Sequence, residues 1–145
     1  MKIKLLFLLY CVFFVSCKTK INQYVKDDNS TNKRNGKWEE EYASDEGILI
    51  SIGKYKKGEK IGVWKTFLNN QLFQKDKIRK DITKTKRYFP DGKMMEQGQS
   101  KFDISKEERH WFYFGDWKFY NDQGELLYIK KYFNGNKTDS ISFKK

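Results

Sequence analysis

The sequence is short of most of what helical domains and enzymes draw on. Its 145 residues include one alanine (Ala43), one proline (Pro90), one histidine (His110) and two cysteines. Scarce alanine removes the best helix former, and 17% aromatic residues suit a half-buried sheet instead. That aromatic content also excludes disorder over most of the length. No Gly-rich loop opens a helix, which excludes a nucleotide-phosphate cradle of the usual kind. The length fits one domain of ordinary size and argues against a two-domain enzyme. Acidic residues are in deficit too: 30 Lys and Arg face 19 Asp and Glu, a net charge of +11.

Long apolar runs are missing except at the start. Lys2 and Lys4 form a positive head, and Leu5 to Val15 are unbroken apolar residues. This run is shorter than the roughly 20 residues that span a bilayer, and with small Ser16 behind it the segment reads as an export signal. Phe14-Val15-Ser16-Cys17 resembles a bacterial lipobox, with Phe14 where the pattern prefers Leu. The resemblance implies a diacylglycerol on Cys17 and removal of residues 1–16. Cys11 then leaves with the signal and Cys17 carries lipid, so the mature chain has no thiol for a disulfide, a nucleophile or a metal. Loss of Lys2 and Lys4 leaves 28 basic against 19 acidic residues, a net of +9. Residues 17–35 are polar, with the block Asp27-Asp28-Asn29-Ser30-Thr31-Asn32, and are expected to act as a flexible tether reaching roughly 20 to 25 Å.

Residues 36–145 carry a repeat. Tryptophan follows glycine by two positions in Gly36-Lys37-Trp38, Gly62-Val63-Trp64 and Gly115-Asp116-Trp117. Phe67 and Tyr120 lie three residues beyond their tryptophans, and the same spacing in mid-chain puts Thr85, Tyr88 and Gly92 in a degenerate unit. Gly47 to Gly58 and Gly124 to Gly135 share an eleven-residue step; at that step the second unit has Ile82, which is no turn signal. Turns are expected at Asn69-Asn70, Pro90-Asp91-Gly92 and Asn121 to Gly124, where Asn, Asp and Gly accept positive φ. Ile48, Ile50 and Ile52 alternate as a strand does, as do Leu127, Ile129 and Phe133, while no helical period runs beyond the signal. About four such units predict an all-β fold, an antiparallel β-hairpin meander in one elongated curved sheet.

The pattern Gly-x-Trp-x-x-aromatic, a turn, then an extended segment ending in Gly-x-Lys resembles the MORN-repeat variant of bacterial YwqK-family antitoxin-like proteins. The resemblance runs from about Asn35 to Lys137 and rests on Gly36, Trp38, Gly47, Gly58, Gly62, Trp64, Phe67, Gly92, Gly115, Trp117, Tyr120, Gly124 and Gly135. It implies a β-repeat sheet with an interaction role and carries no catalytic residue. The lipoprotein signal sets this chain apart from a cytoplasmic antitoxin.

Residues that could do chemistry are few. His110 has no second histidine or thiol with which to complete a zinc shell, and no designated nucleophile to serve as base. Glu39-Glu40-Glu41 reads as a solvated strand edge, with Glu40 opposite in direction to its neighbours. The basic run Lys75, Lys77, Arg79, Lys80, Lys84, Lys86 and Arg87, interrupted by Asp76 and Asp81, reads first as a lysine-protected strand and second as a contact for anionic lipid or another acidic component. The segment 101–114 reads as an insert ending in Trp111, Phe112, Tyr113 and Phe114. Those rings either form a binding patch or start a longer strand, alternating between its faces.

Function is accordingly expected to be non-enzymatic, with no cofactor and no metal. The chain is expected to be a lipid-anchored protein of the bacterial envelope, facing the periplasm or the surface, whose sheet binds another envelope protein. The candidate residues are Cys17 for lipidation and Lys84, Lys86, Arg87, Trp111, Phe112, Tyr113 and Phe114 for interaction. Alternatives are a binder of anionic lipid or envelope glycan, or an antitoxin or immunity protein. Neither nucleic acid nor a small-molecule substrate is expected.

Overall fold

The computed structural model describes residues 20–104 and 109–143. Within them the chain forms ten strands: β1 (Gln23–Lys26), β2 (Asn32–Ser44), β3 (Gly47–Lys56), β4 (Glu59–Leu68), β5 (Gln71–Arg79), β6 (Ile82–Tyr88), β7 (Met94–Ile104), β8 (Arg109–Tyr120), β9 (Leu126–Phe133) and β10 (Asn136–Ser142). They pair antiparallel in chain order into a single sheet that does not close into a barrel. The all-β meander anticipated from the repeat is therefore the observed architecture.

Local chemistry explains the hairpins. Lys57-Gly58, Asn69-Asn70 and Asn134-Gly135 join strands through pairs of left-handed residues, the backbone of a type I′ turn whose twist matches the strands it connects. The Phe89–Lys93 and Asn121–Glu125 turns are twins: Gly92 and Gly124 donate to the carbonyls of Phe89 and Asn121 at 2.9 and 3.0 Å. The turn that the spacing count failed to find sits between β5 and β6, where Lys80 takes φ 54°. Lys80-Asp81 offers neither Gly nor Asn, and the eleven-residue step lands one position beyond it on Ile82.

The presumed tether is folded from Gln23 onward. β1 pairs with the first residues of β2, from Gln23 against Asn35 to Lys26 against Asn32. The polar block between them is the hairpin turn: Asp27 Oδ1 accepts the amides of Asn29 and Thr31 at 3.0 and 2.8 Å, and Ser30 takes φ 58°. Turn residues and linker residues share one composition, which is why polarity alone misplaced the boundary.

The Gly-x-Trp motif has a specific geometry. Along β3 and β4 the register runs Ile52 to Lys65 and then Lys54 to Ile61, so Gly62, Val63 and Trp64 together oppose Gly53. Between β7 and β8, Gly115, Asp116 and Trp117 likewise oppose Gly98. The left-handed glycine at the head of each motif (Gly62 φ 71°, Gly115 φ 66°) makes this bulge. Each indole then folds flat over the glycine of the preceding strand. A Cβ on Gly53 or Gly98 would fall inside the ring of Trp64 or Trp117. The indole N–H groups donate to the next carbonyl, Lys54 at 3.2 Å and Gln99 at 2.9 Å. In the first unit Trp38 donates to the carbonyls of Gln23 and Asn35 at 3.2 and 3.1 Å.

The described residues form one layer, with no second sheet among them to bury a core against, so the core is a row of rings on one face. Among the described residues, Trp38, Tyr55, Trp64 and Trp117 are the buried hydrophobics. Tyr55 stands edge-on between Trp38 and Trp64, with centroids 5.6 and 5.2 Å away. In the degenerate unit the row is polar: buried Thr85 donates to Asp76 at 2.7 Å.

Candidate interaction surfaces

Period-two alternation along ten paired strands sorts the side chains onto two open faces, a ring face carrying the tryptophans and a lysine face behind it.

The ring face is tied down at one end by Glu40. Its Oε1 accepts from Arg34 at 2.6 Å and from the Tyr55 hydroxyl at 2.7 Å; its Oε2 accepts from the Tyr42 hydroxyl at 2.6 Å and from Lys60 at 2.7 Å. The Arg34 guanidinium lies 4.9 Å from the Trp38 ring centre and the Lys60 ammonium 4.0 Å from that of Trp64, so both cations also cap rings. Burial by itself raises the Glu40 pKa and is the largest influence on it. The bonds from Lys60, Tyr42 and Tyr55 together outweigh it and hold the carboxyl below its ordinary value. Burial first, and then the bond to Glu40, push the Tyr42 and Tyr55 hydroxyls up to about 12. Glu40 is thus a satisfied, buried anchor across β2, β3 and β4, and the solvated edge expected of Glu39-Glu40-Glu41 does not apply to it. Its partners lie 2 to 20 residues away in sequence, so no local motif could have announced the cluster.

Farther along the ring face, Trp111 is 54% exposed and meets Tyr113 edge-on at 4.8 Å, and Tyr113 lies 4.2 Å from the buried Trp117. Phe119 and Tyr128 stack at 4.6 Å beneath the Lys130 ammonium. Segment 101–114 is therefore no protruding insert where it is described: it extends the β7–β8 hairpin, with residues 105–108 outside the described set. Its four rings alternate, Trp111 and Tyr113 on the ring face, Phe112 and Phe114 on the lysine face. Arg87 also belongs to the ring face, bonded to Glu96 and, at 2.7 Å, to Gln74.

The lysine face gathers Lys84 and Lys86 with lysines that the sequence places seven or more residues away. Lys65 pairs with Lys75 and Lys75 with Lys86 on adjacent strands, while Lys77 pairs with Lys84. Lys75, Lys77, Lys84, Lys86 and Lys118 line a depression of about 620 Å³ floored by Gln97 and Gln99, with Asp116 at its side. Among the described residues none of these five lysines forms an ion pair. The acids that dilute the run in sequence are turned elsewhere: Asp76 faces the rings and binds Thr85 and Gln74, and Asp81 pairs with Lys101 at 3.7 Å. His110 is exposed on β8. Cys17 lies outside the described residues.

No protein-family model, no curated protein and no solved structure matches the chain.

Proposed function

We propose that this chain is a non-enzymatic interaction protein, held at the bacterial envelope by a lipid on Cys17, whose MORN-like sheet binds another protein through its ring face. The observation that carries the reading is the single layer: among the described residues no second layer covers the face that bears Tyr42, Trp111, Tyr113 and the stacked Phe119–Tyr128 pair. Exposed aromatics grading into a rigid buried row, with Arg34 among them, have the composition of an interface centre rather than of ordinary surface. Such rings lose little conformational freedom on binding because their neighbours already hold them.

Two measurements test the two halves of the proposal. Intact mass and cell fractionation, wild type beside Cys17→Ser, test the anchor. Wild type is expected in the membrane fraction at the mass of residues 17–145 plus acyl chains, and the variant is not; a soluble chain that keeps Met1 refutes the anchor. Photo-crosslinking from position 111 tests the face, with position 133 on the opposite face as control, since Phe133 is 69% exposed there. Crosslinks to a discrete protein from 111 and not from 133 are expected, and equal labelling from both positions refutes a ring-face partner.

A further inference from the structure

We infer that the depression on the lysine face is a binding site for a linear, base-free phosphate polymer, lying across β5 to β8 on the side away from the rings. The first support is electrostatic. Lys75 stands directly opposite Lys86 and Lys77 directly opposite Lys84, and like charges facing each other across strands destabilise a sheet. The described residues do little to relieve this repulsion with acids: Asp76 is turned to the other face, and Asp116 is the one carboxylate among the described lining residues. A site that keeps together five ammonium groups with no ion pair among the described residues is complementary to an anion that brings several charges at once.

The shape and the lining narrow the class of anion. Strands are spaced about 4.8 Å apart and same-face residues along a strand about 6.8 Å, so the lysines form a grid that offers successive cations to an extended chain in either direction. A depression suits a chain better than the flat surface of a bilayer. Interface centres between proteins are depleted in lysine, whereas ammonium groups serve as point-charge partners for phosphate. Single-stranded nucleic acid is held by stacking its bases on aromatic platforms, and Tyr88 is the only ring among the described residues that line this site. Gln97 stands between Lys86 and Lys118, its amide donating to the Tyr120 hydroxyl at 2.8 Å, and Gln99 adds a neutral amide beside Lys84. The inference does not depend on the lipid anchor or on a partner for the ring face.

The test uses the full chain in detergent with long-chain inorganic polyphosphate as the probe. Five contacts at the single-strand coefficient give a slope of log K against log salt of about −3.5, falling to about −0.7 when Lys75, Lys77, Lys84 and Lys86 are all changed to Gln. Polyphosphate should also protect those four lysines and Lys118 from acetylation, while Lys60 and Lys130 on the ring face react as before. Unliganded, the four-fold variant should melt no lower than wild type, because the substitutions remove repulsion; this separates lost binding from lost folding. No binding of polyphosphate, or binding that the four substitutions leave unchanged, overturns the inference. So does tighter binding of poly-glutamate, single-stranded DNA or phosphatidylglycerol vesicles than of polyphosphate, each of which reassigns the face to another occupant.

Discussion

Replacing Gly53 with alanine tests the central packing device of the sheet. The Cβ would occupy the space of the Trp64 indole, and Trp64 is only 3% exposed. Moving the ring aside gives up part of its burial; an indole of roughly 200 Å² at about 25 cal/mol per Å² sets an upper bound near 5 kcal/mol. Overpacking elsewhere costs about 1–3 kcal/mol, so a loss of about 3 kcal/mol is expected. Gly62→Ala is the control: its φ is 71° but nothing lies within 4 Å of the new Cβ, leaving only the left-handed backbone penalty of about 1–2 kcal/mol. At about 4 °C per kcal/mol for a domain of this size, Gly53→Ala should melt about 12 °C below wild type and Gly62→Ala about 4–8 °C below. The assay is thermal unfolding followed by circular dichroism and tryptophan emission, repeated in a Trp64→Leu background, where the penalty at residue 53 should shrink by about 1 kcal/mol or more. If Gly53→Ala melts no lower than Gly62→Ala, or if its cost is the same without the indole, the ring-over-glycine account is wrong.

Four further outcomes follow from the same contacts. Because Glu40 is held below its ordinary pKa of 4.5, its stabilisation is complete above that pH and is lost as pH falls through the lowered folded-state value; Glu40→Gln should flatten the acid limb of a pH–stability curve. Tyr55, raised from 10.0 to about 12, contributes fully below pH 10 and loses that contribution as pH climbs toward 12; this corresponds to roughly 2–3 kcal/mol, read as a fall in melting temperature across that window which Tyr55→Phe makes smaller, Tyr42 keeping its own share. Glu40→Ala should cost about 2–4 kcal/mol in denaturant unfolding, since it strips Tyr55 of its acceptor and Arg34 and Lys60 of their counter-charge. Ser100, 1% exposed with a hydroxyl that has no partner among the described residues, should be replaceable by alanine at no loss, or at a gain of up to about 1 kcal/mol; a loss above 1 kcal/mol would show that the hydroxyl is bonded.

How much was legible in the sequence varies from feature to feature, for physical reasons. Turn chemistry is local, so Asn69-Asn70, Gly135 and the Gly92 and Gly124 loops stood out, whereas the Lys80 turn, which bears its left-handed strain without Gly or Asn, did not. The apolar alternations of Ile48-Ile50-Ile52 and Leu127-Ile129-Phe133 were true strand signals. They mark the lysine face, where Ile48, Leu127 and Phe133 remain exposed, because the buried row is built from rings on the other face. Gly53 and Gly98 belong to no Gly-x-Trp spacing, and their role under Trp64 and Trp117 arises only when two strands are laid side by side.

The sequence by itself determined the meander: repeating turn residues separated by strand-length segments leave few other ways to pair the backbone, and each hairpin closes over a short distance along the chain. Tertiary structure alone decided which charges stand together. Register and the parity of each bulge put Arg87 with Glu96 on one side and Lys84 with Lys77 on the other, and a shift of one residue would exchange them. Charge composition is a property of the chain, but an unpaired lysine field or a carboxylate held by four donors exists only once several strands meet.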